Sequence, residues 1–174
     1  MAEAKRSLVV YFSVEGEQYG GQQVERGNTA KLADILSELT GADQFEIKPV
    51  KPYPTDYDSL LSRAQTEKTM ARKVPYQGAV ENFQSYERVY VCYPNWCGDM
   101  PQIVLTFLDE QDCSGQEIAP IVTSGGSGFG TSLQTLEQIC KGAKCTEGLE
   151  VRGKDCQDNA ELVKEQLQNW IQKL

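Results

Sequence analysis

The sequence predicts an α/β protein built on a parallel sheet with helices on both faces. Three observations carry that prediction. Strand and helix signals alternate along the 174 residues, the pattern of β–α–β crossovers. The segments 8–12 and 88–93 are apolar almost throughout, as strands covered on both faces must be. Three strands open at their carboxyl ends into loops rich in small, hydroxyl-bearing or aromatic residues, and in open α/β sheets ligands bind at such ends. The length suits one domain, residues 1–174, with a core of its own. No internal repeat or low-complexity run interrupts it.

The first strand, Leu8-Val9-Val10-Tyr11-Phe12, runs into Ser13. A polar loop follows, and Gly16, Gly20 and Gly21 mark it as a flexible excursion. Gly27-Asn28-Thr29 then leads into an amphipathic helix starting at about Thr29, with Leu32, Ile35, Leu36 and Leu39 on one stripe. Gly41 ends it. In the second strand, Asp43 to Ile47, only Phe45 and Ile47 alternate inward, which suits a sheet edge. Pro49, Pro52 and Pro54 break the chain, and a polar helix with a narrow stripe of Leu60, Leu61 and Ala64 comes next.

The third strand, 88–93, opens into Pro94-Asn95-Trp96-Cys97-Gly98-Asp99. Pro101 suits the first turn of a helix whose buried side is Ile103, Val104, Phe107 and Leu108. The fourth strand is Ile118 to Thr123. Pro120 removes a ladder hydrogen bond there, so a local irregularity is expected. In the loop Ser124-Gly125-Gly126-Ser127-Gly128-Phe129-Gly130 and beyond, Thr131 with Gln134 has the spacing of a capping box. A fifth strand lies near Glu147 to Val151. Asp158 with Glu161 marks the start of a last helix, striped by Val163, Leu167, Trp170, Ile171 and Leu174.

Composition narrows the chemistry. A net charge of −8 argues against nucleic acid, which asks for a basic face. It suits solubility and steers the chain toward basic partners. No apolar run reaches membrane-spanning length, and Met1-Ala2-Glu3-Ala4-Lys5-Arg6 carries no hydrophobic signal segment. A soluble cytoplasmic protein is the expectation. There is no histidine, which excludes Ser-His-Asp and Cys-His catalysis and leaves the chemistry to a cofactor. The six cysteines form no Cys-x-x-Cys pair, so no zinc site is expected and most read as reduced thiols. Cys92 reads as core, whereas Cys97 sits in a candidate ligand loop. It begins no Cys-x5-Arg phosphatase loop, because position 103 is Ile.

Two loops carry the candidate site. A helix start offers free N–H groups and the positive end of the helix dipole, so Ser13, Asn28 and Thr29 make a natural phosphate seat; the plainer alternative is that these hydroxyls only cap the helix. No Gly-Lys-Thr or Gly-Lys-Ser occurs, which disfavours a P-loop. Pro94 to Asp99, with Trp96 at its centre, could hold a flat ring, unless Trp96 is an ordinary core aromatic. Phosphate at one strand end and a ring at another suggest a mononucleotide. Tyr53 and Tyr57 either reach the site as a lid or pack against the edge strand.

The segments Val10-Tyr11-Phe12-Ser13, Gly27-Asn28-Thr29 and Tyr93-Pro94-Asn95-Trp96 resemble those of the flavodoxin family, in the branch with a long first loop and a Pro-Tyr-Pro segment, here Pro52-Tyr53-Pro54. The resemblance runs from about residue 8 to 153. It implies a three-layer sandwich with a five-stranded parallel sheet in the order 2-1-3-4-5 and noncovalent FMN. By match of motif, Ser13, Asn28 and Thr29 hold the phosphate. Pro94, Asn95, Trp96, Cys97 and Gly98 border the isoalloxazine ring, and Thr123, Ser124, Gly125, Gly126 and Gly128 line its other side. A glycine peptide at Gly98 could reorient toward flavin N5 and favour the one-electron-reduced state. Asp99 would then disfavour the anionic reduced ring, or else it belongs to the start of the next helix. The chain departs from the branch at Cys97, where many members carry a second tryptophan, and at Ser124-Gly125-Gly126, where they often place a histidine and an acid.

The resemblance implies an electron carrier serving redox protein partners. The alternative is a small FMN-dependent reductase for quinones or other diffusible acceptors. A flavodoxin-fold module that uses FMN structurally, or has lost it, is the reading from another class. Oligomeric state stays open.

Overall fold

A computed structural model describes residues 5–174. Met1 to Ala4, part of the segment read as carrying no hydrophobic signal, lie outside the described residues. Five parallel strands form the central sheet: β1 (Ser7–Tyr11), β2 (Asp43–Glu46), β3 (Arg88–Pro94), β4 (Glu117–Ser124) and β5 (Leu149–Arg152). Their spatial order is β2-β1-β3-β4-β5, and a two-residue strand, Lys144–Cys145, adjoins the beginning of β4 on the β5 side. The expected 2-1-3-4-5 order is thus observed.

The helices are α1 (Asn28–Thr40), α2 (Tyr57–Thr69), α3 (Gln102–Asp109), α4 (Ser132–Ile139), α5 (Gly153–Asp158) and α6 (Ala160–Gln172). Strand side chains alternate between two cores, as the period-two geometry of a strand requires. Leu8, Val10, Val89, Val91, Tyr93, Ile118 and Val122 share one with Ile103, Val104 and Phe107 of α3 and Leu136 of α4. Val9, Tyr11, Tyr90, Cys92, Ala119 and Ile121 share the other with Leu32 and Leu36 of α1 and Val163, Leu167 and Trp170 of α6. Both faces of the sheet are therefore covered, and this is why its inner strands read as continuous apolar runs.

Gly41 ends α1 in the left-handed conformation, with its N–H on the Ser37 carbonyl at 2.8 Å. The irregularity expected around Pro120 is a break in the outer edge. The Gln116 and Ile118 carbonyls accept from Lys144 and Thr146, whereas that of Thr123 accepts from Asn95. Even-numbered positions of β4 therefore face the β5 side. Pro120 lies opposite the gap between Cys145 and Leu149, where no ladder donor is needed. The Glu147 carbonyl in that gap accepts from the Trp170 indole N–H at 3.0 Å.

Three local expectations are corrected. The Thr131–Gln134 capping box does not form: Thr131 stands at the N-cap of α4, but its hydroxyl donates to the Gly98 carbonyl at 3.2 Å. Asp158 does not open the last helix; it ends α5, and α6 begins after Asn159. The loop between Ser13 and Gly27 is not a free excursion, because Gly16–Glu17 and Gln23–Val24 pair as an antiparallel hairpin.

Candidate functional site

At the carboxyl ends of β1, β3, β4 and β5 lies a cavity of about 620 Å³, a volume typical of small-molecule sites. Its two ends differ in chemistry.

At one end the chain leaves β1 and Ser13 turns back on α1. The Ser13 hydroxyl accepts from the backbone N–H of Ala30 at 3.0 Å. Gly27, the N-cap residue itself, supplies no side-chain cap, so the capping oxygen comes from the preceding strand. Glycine is required at 27, because a Cβ there would sit 2.1 Å from Ser13 Oγ and 2.4 Å from the Val14 carbonyl oxygen. The hydroxyls of Thr29 and Thr123 form a buried hydrogen bond of 2.8 Å. Asn28 accepts from Gln157 Nε2 at 2.8 Å and lies against Gly153, where a Cβ would come within 2.6 Å of Asn28 Nδ2. Arg152 and Lys154 line the same end. Helix-start N–H groups, two hydroxyls and two cations together suit an anion.

The other end is aromatic. Asn95 extends the β3 ladder by donating to the Thr123 carbonyl at 2.9 Å. Trp96 and Asp99 then exchange backbone hydrogen bonds of 2.9 and 3.1 Å around Cys97 and Gly98. Both central residues have positive φ, 56° at Cys97 and 77° at Gly98, the geometry of a type I′ turn. Three contacts fix it. Asn95 Oδ1 accepts from the Gly98 N–H at 3.0 Å, the Lys68 ammonium of α2 donates to the Cys97 carbonyl, and the Gly98 carbonyl accepts from Thr131 N–H at 2.8 Å. Asn95 Nδ2 also donates to the Gly128 carbonyl at 2.8 Å, which joins this loop to the next.

Trp96 stands between the cavity and the core. It lines the cavity, and it packs edge-on against Phe12 and Tyr53 at centroid distances of 5.1 and 5.0 Å. Tyr53 is no lid: its hydroxyl donates to buried Glu67 at 2.6 Å, beneath the Arg63 guanidinium. Burial first, then Glu67, pushes that hydroxyl far above its ordinary pKa. Tyr57 does reach the cavity wall. Burial also raises the Cys97 thiol, although Lys68 pulls the other way.

Of the residues singled out in sequence, Ser13, Asn28, Thr29, Pro94, Asn95, Trp96, Cys97, Thr123, Ser124 and Gly125 line the one cavity. Gly98, Asp99, Gly126 and Gly128 do not. The Asp99 carboxylate turns toward α3 and α4, accepting from Met100 N at 2.8 Å and from the Thr135 hydroxyl at 3.2 Å. Gly126 faces the Arg152 guanidinium, from which a Cβ would stand 3.0 Å.

Sequence reasoning missed two walls. The hairpin is bolted to α2, since Glu17 N donates to the Thr55 carbonyl and the Glu17 carboxylate accepts from Tyr57 N, both at 2.8 Å. It lays Tyr19, 76% exposed, beside Gly125 and 6.1 Å from the Tyr57 ring. Leu60, Leu61 and Ala64 of α2 form an apolar side. Gly20-Gly21 between short polar segments was the available hairpin signal. The basic pair flanking Gly153 at the carboxyl end of β5, also not singled out, was the signal for the cations Arg152 and Lys154 at the anion end.

The fold and cavity define an α/β ligand-binding protein of the doubly wound class, with an anion seat at one end and an aromatic wall at the other. The chain belongs to the flavodoxin family, whose sequence profile, Flavodoxin, matches residues 6–174. Among solved structures it is similar to inferred flavoproteins of Bacteroides eggerthii (26% identity, TM-score 0.71, covering 91% of this chain and 98% of that one) and Bacteroides uniformis (25%, 0.76, 98% and 99%). It also shares its fold with a Lactobacillus acidophilus flavoprotein in complex with FMN (19%, 0.66, 90% and 99%). No curated protein sequence matches it. Flavodoxins are FMN proteins, so the cofactor expected from the sequence is the family's own. Among the described residues no cluster of ligating side chains suits a metal ion, and no helix is long and apolar enough to cross a membrane.

Proposed function

We propose that this chain binds FMN in the cavity and acts in the cytoplasm as an electron carrier between redox proteins. The observation that carries the reading is the joining of Ser13, Asn28 and Thr29 at the start of α1 with Trp96 and Cys97 across one cavity. The residues fit the cofactor on their own chemistry. Ser13, Asn28, Thr29 and the α1 N–H groups would hold the phosphate, with Arg152 and Lys154 adding charge. Trp96, Cys97, Ser124 and Gly125 would border the ring. Bound FMN would supply one- and two-electron redox chemistry.

The chain's own residues orient and shield. Thr29 and Thr123 keep the floor closed, and the Asn95 side chain holds the two ring-side loops at a fixed separation. The surplus of acidic residues favours encounter with a basic reductase or acceptor.

One observation favours the second reading, a small reductase for quinones or other diffusible acceptors. The Cys97–Gly98 peptide is held at its carbonyl by Lys68 and at its N–H by Asn95, and this opposes the reorientation a one-electron carrier would use. Stepwise anaerobic reduction of the FMN-loaded protein, followed by its visible spectrum, separates the two. A one-electron stage supports the carrier and its absence supports the reductase. Failure to retain FMN overturns both. Asn28→Ala and Gly27→Ala are each expected to weaken FMN binding, read by recovery of free-flavin fluorescence.

A further inference from the structure

Trp96 touches two rings of different chemistry. Its indole lines the cavity and meets Phe12 at 5.1 Å and Tyr53 at 5.0 Å between ring centroids. Phe12 has no acidic hydrogen. Tyr53 has a phenol, and its hydroxyl donates to Glu67 Oε1 at 2.6 Å. Glu67 stands in α2 and is 5% exposed. Arg63, one turn earlier, bonds the other carboxylate oxygen, Oε2, at 3.3 Å. Arg63 is tied in turn to the Pro52 and Lys51 carbonyls at 2.7 and 2.9 Å. Oε1 is thereby left for the phenol. The same guanidinium lies 3.8 Å from the Tyr53 ring centre.

These are the parts of a path for one electron and one proton. An indole and a phenol in contact can exchange an electron. A phenol gives one up readily only if its proton has somewhere to go, because the phenol radical cation is a strong acid. Glu67 is that acceptor, across a bond already formed. Arg63 opposes any positive charge left on the ring, so the electron departs only as the proton does. Burial first, then Glu67, keeps the phenol protonated at rest.

The second indole lacks these parts. Trp170 is 3% exposed in the opposite core, and its ring lies 5.9 Å from that of Tyr90. The Tyr90 hydroxyl accepts from Arg88 at 3.3 Å. A guanidinium donates and takes no proton, so the contact alone does not make the path.

We propose that Trp96, Tyr53 and Glu67 form a radical relay that moves one oxidising equivalent from the cavity wall to α2. A one-electron radical oxidant in the cavity takes an electron from the Trp96 indole and leaves its radical cation. Tyr53 passes one electron to the indole, and its phenolic proton moves to Glu67 Oε1. Trp96 is restored, Tyr53 is a neutral phenoxyl radical and Glu67 a neutral carboxylic acid. A diffusible thiolate closes the cycle. It gives one electron to the phenoxyl and becomes a thiyl radical, while the Glu67 proton returns to the phenol oxygen. The relay spares the indole on the cavity wall from irreversible oxidation, and it belongs to the chain whether or not FMN is bound.

The test generates azide radicals, which oxidise indoles by one electron, in a solution of the full-length chain by pulse radiolysis. The indolyl absorption is expected to decay as the phenoxyl absorption rises, at a rate independent of protein concentration. Tyr53→Phe is expected to lose this phase and Trp170→Phe to keep it. Glu67→Gln, without the proton acceptor, is expected to slow it at least about tenfold. If the phase persists in Tyr53→Phe, disappears in Trp170→Phe or keeps its rate in Glu67→Gln, the proposal is overturned. Should a variant fail to fold, the wild type in deuterium oxide decides: slower transfer supports the relay and an unchanged rate overturns it.

Discussion

The hydroxyls of Thr29 and Thr123 meet 2.8 Å apart, and both residues are buried. One stands in the first turn of α1 and the other near the end of β4, so a single bond closes the cavity floor between two loops far apart in sequence. Thr29→Val keeps the shape and leaves the Thr123 hydroxyl without this partner. The expected cost is about 1–3 kcal/mol of stability in urea unfolding. FMN affinity is expected to fall about tenfold, from the loss of a charge-assisted phosphate contact. Flavin fluorescence titration checks the second effect; unchanged affinity beside lowered stability would make Thr29 structural only.

Lys68 reaches from α2 to the Cys97 carbonyl. Lys68→Met removes the donor and keeps most of the side-chain bulk, freeing the turn on that side. The fraction of one-electron-reduced flavin seen during anaerobic reduction is expected to rise relative to wild type. Thr131→Val, which loses the hydroxyl bond to Gly98 and keeps the backbone one, is expected to have a smaller effect. Equal spectra for wild type and Lys68→Met would show that Lys68 does not restrain the peptide.

Cys97 supplies a pH signature. Burial raises its thiol above the ordinary range, and Lys68 partly offsets this. The thiol is therefore protonated through neutral pH. Alkylation by iodoacetamide at this position is expected to be slow near neutrality and to climb only above the pH at which a free cysteine reacts. In Lys68→Met the climb moves to still higher pH. Peptide-resolved labelling rates across pH measure both curves.

The fold was legible because its signals are local. Continuous apolar strands, Gly41 and the stripe of α1 each depend on a few neighbouring residues. That Ser13, Asn28, Thr29 and Trp96 would meet at the carboxyl ends of the strands was legible for the same reason, since they stand beside strand ends in the chain. The Asp99 and Gly126 placements were not, because they turn on partners such as Thr135 and Arg152 that only tertiary packing supplies. The capping spacing at Thr131 misled because the Gly98 carbonyl, 33 positions away, captures the hydroxyl. The hairpin that carries Tyr19 was hidden by its polarity, for it is held by Glu17 and Thr55 rather than by an apolar face.

Glu117 anchors the other end of the sheet. Burial opposes its ionisation, but Lys5 and Arg88, the latter at 2.8 Å, outweigh it and hold the carboxyl below its ordinary value. A depressed carboxyl contributes stability that is present above its unfolded pKa and lost as pH falls through the folded one. Glu117→Gln is expected to lower stability at neutral pH by about 3 kcal/mol, because it leaves Arg88 half-paired and largely buried. The difference between variant and wild type is expected to shrink as the pH drops below about 4. Urea midpoints at neutral and acid pH test the sign.

The gap opposite Pro120 also bears on how copies of the chain meet one another. An exposed strand edge is a template that a second molecule can extend. Here the outer edge is divided into a four-residue and a two-residue piece, and the Glu147 carbonyl between them is taken by Trp170. The opposite edge, β2, is four residues long and carries Asp43 and Glu46. Neither side offers a run long enough for edge-to-edge growth, so a concentrated solution of the protein should stay dispersed instead of seeding fibrils.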